Sequence, residues 1–163
     1  TKQTEVHGVS QRGGSVETHV RFGEKVHSPI VTPGEADAVV GLEKLEALRF
    51  AHYLNIETGT VLVNDHELVP GSVPNAESIY PRETIDFLKS KGMRVVALPA
   101  SQTARDLGDA RMANVVMLGA LSTLLPIEQE VWEKTLKLRI PAKYLDGNLK
   151  AFESGYDAMQ KAI

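Results

Sequence analysis

Strict alternation gives the first readable pattern in this chain. From Val16 to Phe22, the residues Val16, Thr18, Val20 and Phe22 share one side, while Glu17, His19 and Arg21 share the other. This period of two marks a half-buried strand at a sheet edge or in an antiparallel pair. Glu5-Val6-His7 is a shorter strand-like piece upstream. Gly23-Glu24-Lys25 reads as a turn, so the spacing predicts that Val26–Val31 returns as a hairpin partner.

The pattern then changes in kind. Ala36–Leu42 has few polar interruptions, as expected of a parallel strand covered on both faces. Residues 43–54 place Leu45, Leu48, Ala51 and Leu54 at helical spacing, and Thr60–Asn64 is again a short apolar strand. Together they predict a right-handed βαβ unit with a parallel sheet. Residues 67–81 hold Pro70, Pro74 and Pro81 and read as a connecting excursion. A second helix is predicted from Pro81 to Lys89 with Gly92 as its C-terminal stop, and a third strand over Arg94–Leu98. Ser101 opens a short helix ending near Gly108, and Asp109 caps a long helix over Ala110–Leu125. Helices over Ile127–Leu138 and Lys143–Ala162 complete the chain, the last with Leu145, Leu149, Phe152 and Tyr156 on one stripe. Residues 1–163 thus read as one α/β domain: a three-layer, Rossmann-like sandwich with a mostly parallel sheet, an antiparallel hairpin and C-terminal helices.

Composition narrows the partners more than the fold. A chain of 163 residues, 42% hydrophobic and 24% charged, is long enough to bury a sizeable core. A formal charge of −3 with no lysine or arginine block argues against nucleic acid. No apolar run approaches the ~18–20 residues of a membrane span. The absence of cysteine removes disulfides, a thiol nucleophile and cysteine-ligated iron–sulfur clusters on this chain. It leaves the redox compartment open, with a cytoplasmic location as the default.

Candidate chemistry concentrates in the loop between the first two strands. Ser10, Gln11, Arg12, Gly13 and Gly14 combine a hydroxyl, an amide, a guanidinium and two permissive backbone positions. Arg12 presents a planar fork of donors suited to carboxylate or phosphate. Two readings fit: a polar inter-strand turn with a surface salt bridge, or a contact for an anionic partner. Asp65-His66 follows a strand at the carboxyl edge where open α/β sheets bind ligands, and Glu43 lies at the same edge. Glu43 equally suits the first turn of a helix, where the dipole favours a carboxylate. Asn114 is a polar residue within an apolar helix; a buried amide there needs partners in a neighbouring loop or subunit. The five histidines show no metal-ligand spacing, and no nucleophile elbow or Walker-type phosphate loop is present.

Five segments carry a resemblance: EVHGVSQRGGSV (5–16), HVRFGEKV (19–26), ADAVVGLEKLEALRF (36–50), ANVVMLGALSTLLP (113–126) and NLKAFESG (148–155). In order and spacing they resemble the 2-oxoacid:ferredoxin oxidoreductases, and more specifically the small (beta) subunit of indolepyruvate:ferredoxin oxidoreductase. That subunit corresponds to the gamma-type domain of the pyruvate and 2-ketoisovalerate enzymes. Members of the family open with a strand, a G-x-G-G-x-G-like turn and a helix before the segment matching Glu5–Gly8. The resemblance therefore implies that the natural chain carries a further N-terminal βα unit ahead of Thr1, without which a sheet edge would be bare.

The resemblance also implies a function. The family decarboxylates an aryl-2-oxoacid oxidatively with coenzyme A, giving an aryl-acetyl-CoA, carbon dioxide and reduced ferredoxin, in amino-acid catabolism. Thiamine diphosphate and iron–sulfur clusters of the 4Fe-4S type would sit in a large partner subunit, leaving this chain without catalytic residues of its own. Ser10, Gln11, Arg12, Gly13, Gly14 and Asn114 become candidates for contact with coenzyme A or the partner. The competing readings are a stand-alone nucleotide-binding Rossmann-like protein and a scaffold module. The first of these lacks a phosphate turn leading into a helix, because Gly13-Gly14 precedes a strand.

Overall fold

The computed structural model describes residues 1–7, 16–69, 75, 77 and 80–163. Strands β1 (Lys2–His7) and β2 (Val16–Arg21) come first, followed by β3 (Ala38–Gly41), α1 (Lys44–Phe50) and a 3-10 turn at Ala51–Tyr53. Then follow β4 (Thr60–Asn64), α2 (Thr84–Ser90), β5 (Arg94–Leu98) and α3 (Ala100–Asp106). A 3-10 turn at Ala110–Met112 leads into α4 (Ala113–Ser122), α5 (Gln129–Arg139) and α6 (Ala142–Ala162).

Strands β3, β4 and β5 form a parallel sheet in that order, with Val40 opposite Leu62 and Leu62 opposite Val96. Every residue of the central strand β4 is buried, which explains its unbroken apolar run. On one face Leu62, Val96 and Leu98 pack with Ala100, Val116, Met117, Ala151 and Met159 of α3, α4 and α6. On the other, Val39, Val61 and Val63 pack with Ala47 of α1 and Leu88 of α2. The molecule is therefore the three-layer α/β sandwich expected from the pattern. Gly92, at φ +82°, follows α2 where only a residue without a Cβ adopts that backbone freely.

Three local expectations differ from the structure. Val26–Val31 is not a strand; β2 pairs instead with β1, antiparallel, with His7 opposite Val16 and Lys2 opposite Arg21. Pro29 lacks the N–H a ladder needs, and the segment is held by side chains: Arg21 donates to the Ile30 carbonyl (3.0 Å) and Lys2 to the His27 carbonyl (2.9 Å). The ribbon is also turned over. His19 is buried, whereas Val16 and Val20 are each 53% exposed, so the polar face docks and the apolar face looks outward. Finally, the helix expected over 110–125 divides into the 3-10 turn and α4. Its cap is as predicted: the Asp109 carboxylate accepts the Arg111 N–H at 2.9 Å.

Candidate functional site

The carboxyl ends of the parallel strands converge on Asn64. Its carboxamide donates to the Leu42 carbonyl (3.1 Å) and to Ser101 Oγ (2.8 Å), and its oxygen accepts the Ser101 N–H (3.1 Å). Leu42 follows β3, Asn64 ends β4, and Ser101 lies in α3 just beyond β5. One buried amide therefore ties three successive segments at this edge, and a bond from the Asp65 N–H to the Leu98 carbonyl (2.7 Å) reinforces them. A buried amide satisfied on both sides rigidifies its surroundings.

Glu43 lies beside it and is also buried. One carboxylate oxygen accepts the Glu46 N–H (3.0 Å), capping α1, and the other accepts the Leu68 N–H (3.2 Å) and the Tyr80 hydroxyl. The capping role suggested by its position is thus the role it fills. Lys44, next in the chain, bonds Asp65 (2.7 Å) and Glu67 (3.2 Å), and Arg82 bonds Glu67 (2.7 Å). The Asp65 carboxylate first, and Glu67 after it, hold the Lys44 ammonium above its ordinary value against the opposing effect of burial. Both cations of this row are paired with carboxylates, so among the described residues the edge offers no isolated positive charge to an anion. Among the described residues, no group of three or more His, Cys, Asp or Glu is placed to hold a metal ion.

A second polar cluster anchors the ribbon. The Val31 N–H donates to His19 Nδ1 (2.9 Å), and His19 Nε2–H donates to Glu17 (2.5 Å), which fixes the proton on Nε2. Tyr53 meets the His19 ring edge-on at 4.9 Å, and His52 lies over Tyr53 at 4.3 Å. The His19 hydrogen bond is the main cause lowering the Glu17 carboxyl from its ordinary range, and that carboxylate in turn raises the Tyr53 phenol.

Of the residues singled out in the sequence, Glu43 and Asp65 come together at the carboxyl edge. Ser10, Gln11, Arg12, Gly13 and Gly14 lie outside the described residues. Asn114 is exposed in the first turn of α4, so it is not the buried amide expected from its apolar neighbours; it lies on the outward side of the helix while Ala113, Val115 and Val116 turn toward the core. Asn64 and His19 were missed. Asn64 was signalled only by a polar residue closing an apolar strand. Alternation puts His19 on the ribbon's polar face, and a polar face gives no signal in sequence that it is the buried one.

With this geometry in hand, comparison with known proteins decides the family. A profile described as pyruvate ferredoxin/flavodoxin oxidoreductase matches residues 1–158. The chain belongs to this family. Among curated relatives, the indolepyruvate oxidoreductase subunit IorB of Thermococcus kodakarensis is 36% identical over 166 residues, spanning 98% of this chain and 81% of that protein. The protein of the same name from Archaeoglobus fulgidus is 39% identical over 157 residues, spanning 94% and 77%. In fold, the chain is similar to the crystal structure of a keto/oxoacid ferredoxin oxidoreductase gamma subunit from Geobacter sulfurreducens. That match has a TM-score of 0.65 at 24% identity and covers 98% of this chain and 80% of the other. Among the described residues of this family member, no helix is long and apolar enough to cross a membrane.

Proposed function

We propose that this chain is the small subunit of a cytoplasmic 2-oxoacid:ferredoxin oxidoreductase acting on aryl-2-oxoacids such as indolepyruvate. The observation that carries this reading is its 36–39% identity to indolepyruvate oxidoreductase subunits over nearly its whole length. The assembled enzyme joins the acyl group of the 2-oxoacid to the coenzyme A thiol, releases carbon dioxide and passes the electrons to ferredoxin. Thiamine diphosphate and the iron–sulfur clusters belong to the large partner subunit, which supplies carbanion stabilisation and electron transfer.

The chemistry of this chain supports that division. With no cysteine, it cannot ligate a cluster through thiolates. The described polar groups at its carboxyl edge are satisfied by one another: Glu43 accepts from Glu46, Leu68 and Tyr80, Asn64 both donates and accepts, and Lys44 and Arg82 are paired. Such an edge positions neighbouring segments rather than performing proton transfer. In this reading Ser10, Gln11, Arg12, Gly13 and Gly14 contact coenzyme A or the partner, with Arg12 the anion ligand, and the outward Asn114 lies on the partner side. Purification of the tagged chain, co-expressed with the large subunit from the same source, tests the assembly. A stable complex with iron–sulfur absorbance is expected, and a lone chain that never retains the partner would overturn it. Arg12→Ala should raise the apparent KM for coenzyme A at least tenfold; an unchanged KM would return Arg12 to a surface ion pair.

A further inference from the structure

The ribbon β1–β2 is attached to the sheet domain through a histidine whose two ring nitrogens have opposite duties. Nδ1 of His19 accepts the Val31 N–H, and Nε2–H donates to Glu17. The strap between β2 and β3 that carries Val31 is itself fastened to the turn after α1: Gly34 N–H bonds the His52 carbonyl (3.1 Å) and Ala36 N–H bonds the Tyr53 carbonyl (2.8 Å). His19 therefore joins the ribbon to a segment that belongs to the domain. Glu17 tolerates a proton on the ring, because a carboxylate accepts equally well from imidazolium. Val31 does not, since an imidazolium presents N–H at Nδ1 to another N–H, and two donors cannot bond.

We propose that His19 is a proton-gated latch: protonation at Nδ1 breaks the bond to Val31 and loosens the ribbon, leaving Arg21 on the Ile30 carbonyl and Lys2 on the His27 carbonyl to hold it to the strap. Every charged or titratable group facing this ring bears on the balance. Glu17 and Arg21 share its face of β2, and Lys2 shares the matching face of β1, where Thr4 is directly opposite His19. The turn after α1 contributes Tyr53 against the ring and His52 behind it, and the strap contributes His27, whose carbonyl holds Lys2. Glu17 favours the protonated ring, whereas Arg21, Lys2 and His52, when charged, oppose it. The released state keeps the Glu17 bond and loses the Val31 bond. Histidine titrates within the range cells explore, so the latch responds to pH without a ligand.

The consequence reaches the far end of the ribbon, where His7 and Val16 are paired. Its bearing on contact with a partner rests on the function proposed above; the latch itself does not.

Amide exchange of Val31 in the full chain tests the latch independently of any enzyme assay. Its protection factor, which already corrects for intrinsic exchange, should fall at least tenfold from pH 7.5 to pH 5.5. In His19→Asn, whose Oδ1 stands at the Nδ1 position and accepts the Val31 N–H at either pH, the factor should change less than threefold. In His19→Ala it should be low at both. Equal falls in the natural chain and His19→Asn, or no fall in the natural chain, would overturn the proposal. If His19→Asn leaves Val31 unprotected throughout, ring-nitrogen shifts of the natural chain decide. Val31 amide and His19 ring midpoints must coincide, and separate midpoints would refute the latch.

Discussion

Gly155 of α6 rests directly on the backbone of Val116 in α4: a Cβ at Gly155 would lie 1.8 Å from the Val116 carbonyl oxygen. The relationship is returned one turn away, where a Cβ at Gly119 would lie 1.9 Å from the Phe152 carbonyl. Two glycines at reciprocal positions let these helices approach closely enough to bury Val116, Met117, Ala151 and Met159 between themselves and the sheet. Gly155→Ala should therefore destabilise the fold by about 3 kcal/mol despite the better helix propensity of alanine. Gly147, also inside α6, would meet only the flexible end of Met112 at 3.2 Å. Gly147→Ala should be neutral or stabilise by up to ~1 kcal/mol. Urea unfolding of the two variants checks the contrast.

Asn64→Ala should cost about 2–4 kcal/mol, because it strands the Ser101 N–H and removes the donor to the Leu42 carbonyl in a buried setting. Ser101→Ala removes only a hydroxyl partner and should cost about 1 kcal/mol. The double variant should be less destabilised than the sum, since both substitutions delete the same contact. A denaturant double-mutant cycle measures the coupling.

The pH dependence of Glu17 has a definite sign. Its folded carboxyl titrates below its ordinary value of 4.5, chiefly through His19. It therefore contributes stability that is complete above that ordinary range and is lost as pH falls through the lower folded value. Glu17→Gln should be less stable than the natural chain at neutral pH, and the difference should close in strong acid. Asp109, lowered to about 2 by the Arg111 side chain, behaves in the same sense but over a lower window. Unfolding midpoints between pH 7 and pH 2 follow both.

Trp132 buries an indole N–H that has no acceptor among the described residues, while its ring lies 6.1 Å from that of Phe152. Trp132→Phe loses apolar area but also removes an unsatisfied donor, a penalty of about 1–3 kcal/mol. The net change should stay within ~1 kcal/mol, far less than a buried tryptophan usually costs, as thermal unfolding would show.

The sandwich was legible because its strands announce themselves. Thr60–Asn64 is unbroken and apolar, and it is buried from end to end. The last helix was half legible: of the predicted stripe Leu145, Leu149, Phe152 and Tyr156 only Phe152 is buried, because the close approach to α4 is made by Ala151, Gly155 and Met159. The ribbon misled because alternation reveals that a strand has two faces but not which one is covered. The exposed side of Val16 and Val20 and the buried side of His19 follow from where Val31 and Tyr53 dock. Asn114 misled similarly, since apolar neighbours in sequence are not neighbours on a helix face. Glu43 was half legible: its place before α1 signalled a cap, but nothing signalled Tyr80, 37 residues away. Asn64 showed only as a polar residue closing an apolar strand, since its bonding depends on Leu42 after β3 and Ser101 in α3 arriving beside it.

Reconstitution decides whether this chain is an obligatory part of such an enzyme. This chain is mixed with the large subunit from the same source, and ferredoxin reduction is followed with indolepyruvate and coenzyme A. Activity should require both chains and both substrates, with indolepyruvate preferred over pyruvate and 2-ketoisovalerate. Full activity of the large subunit alone, or no activity from an assembled complex retaining its cofactors, would contradict that role.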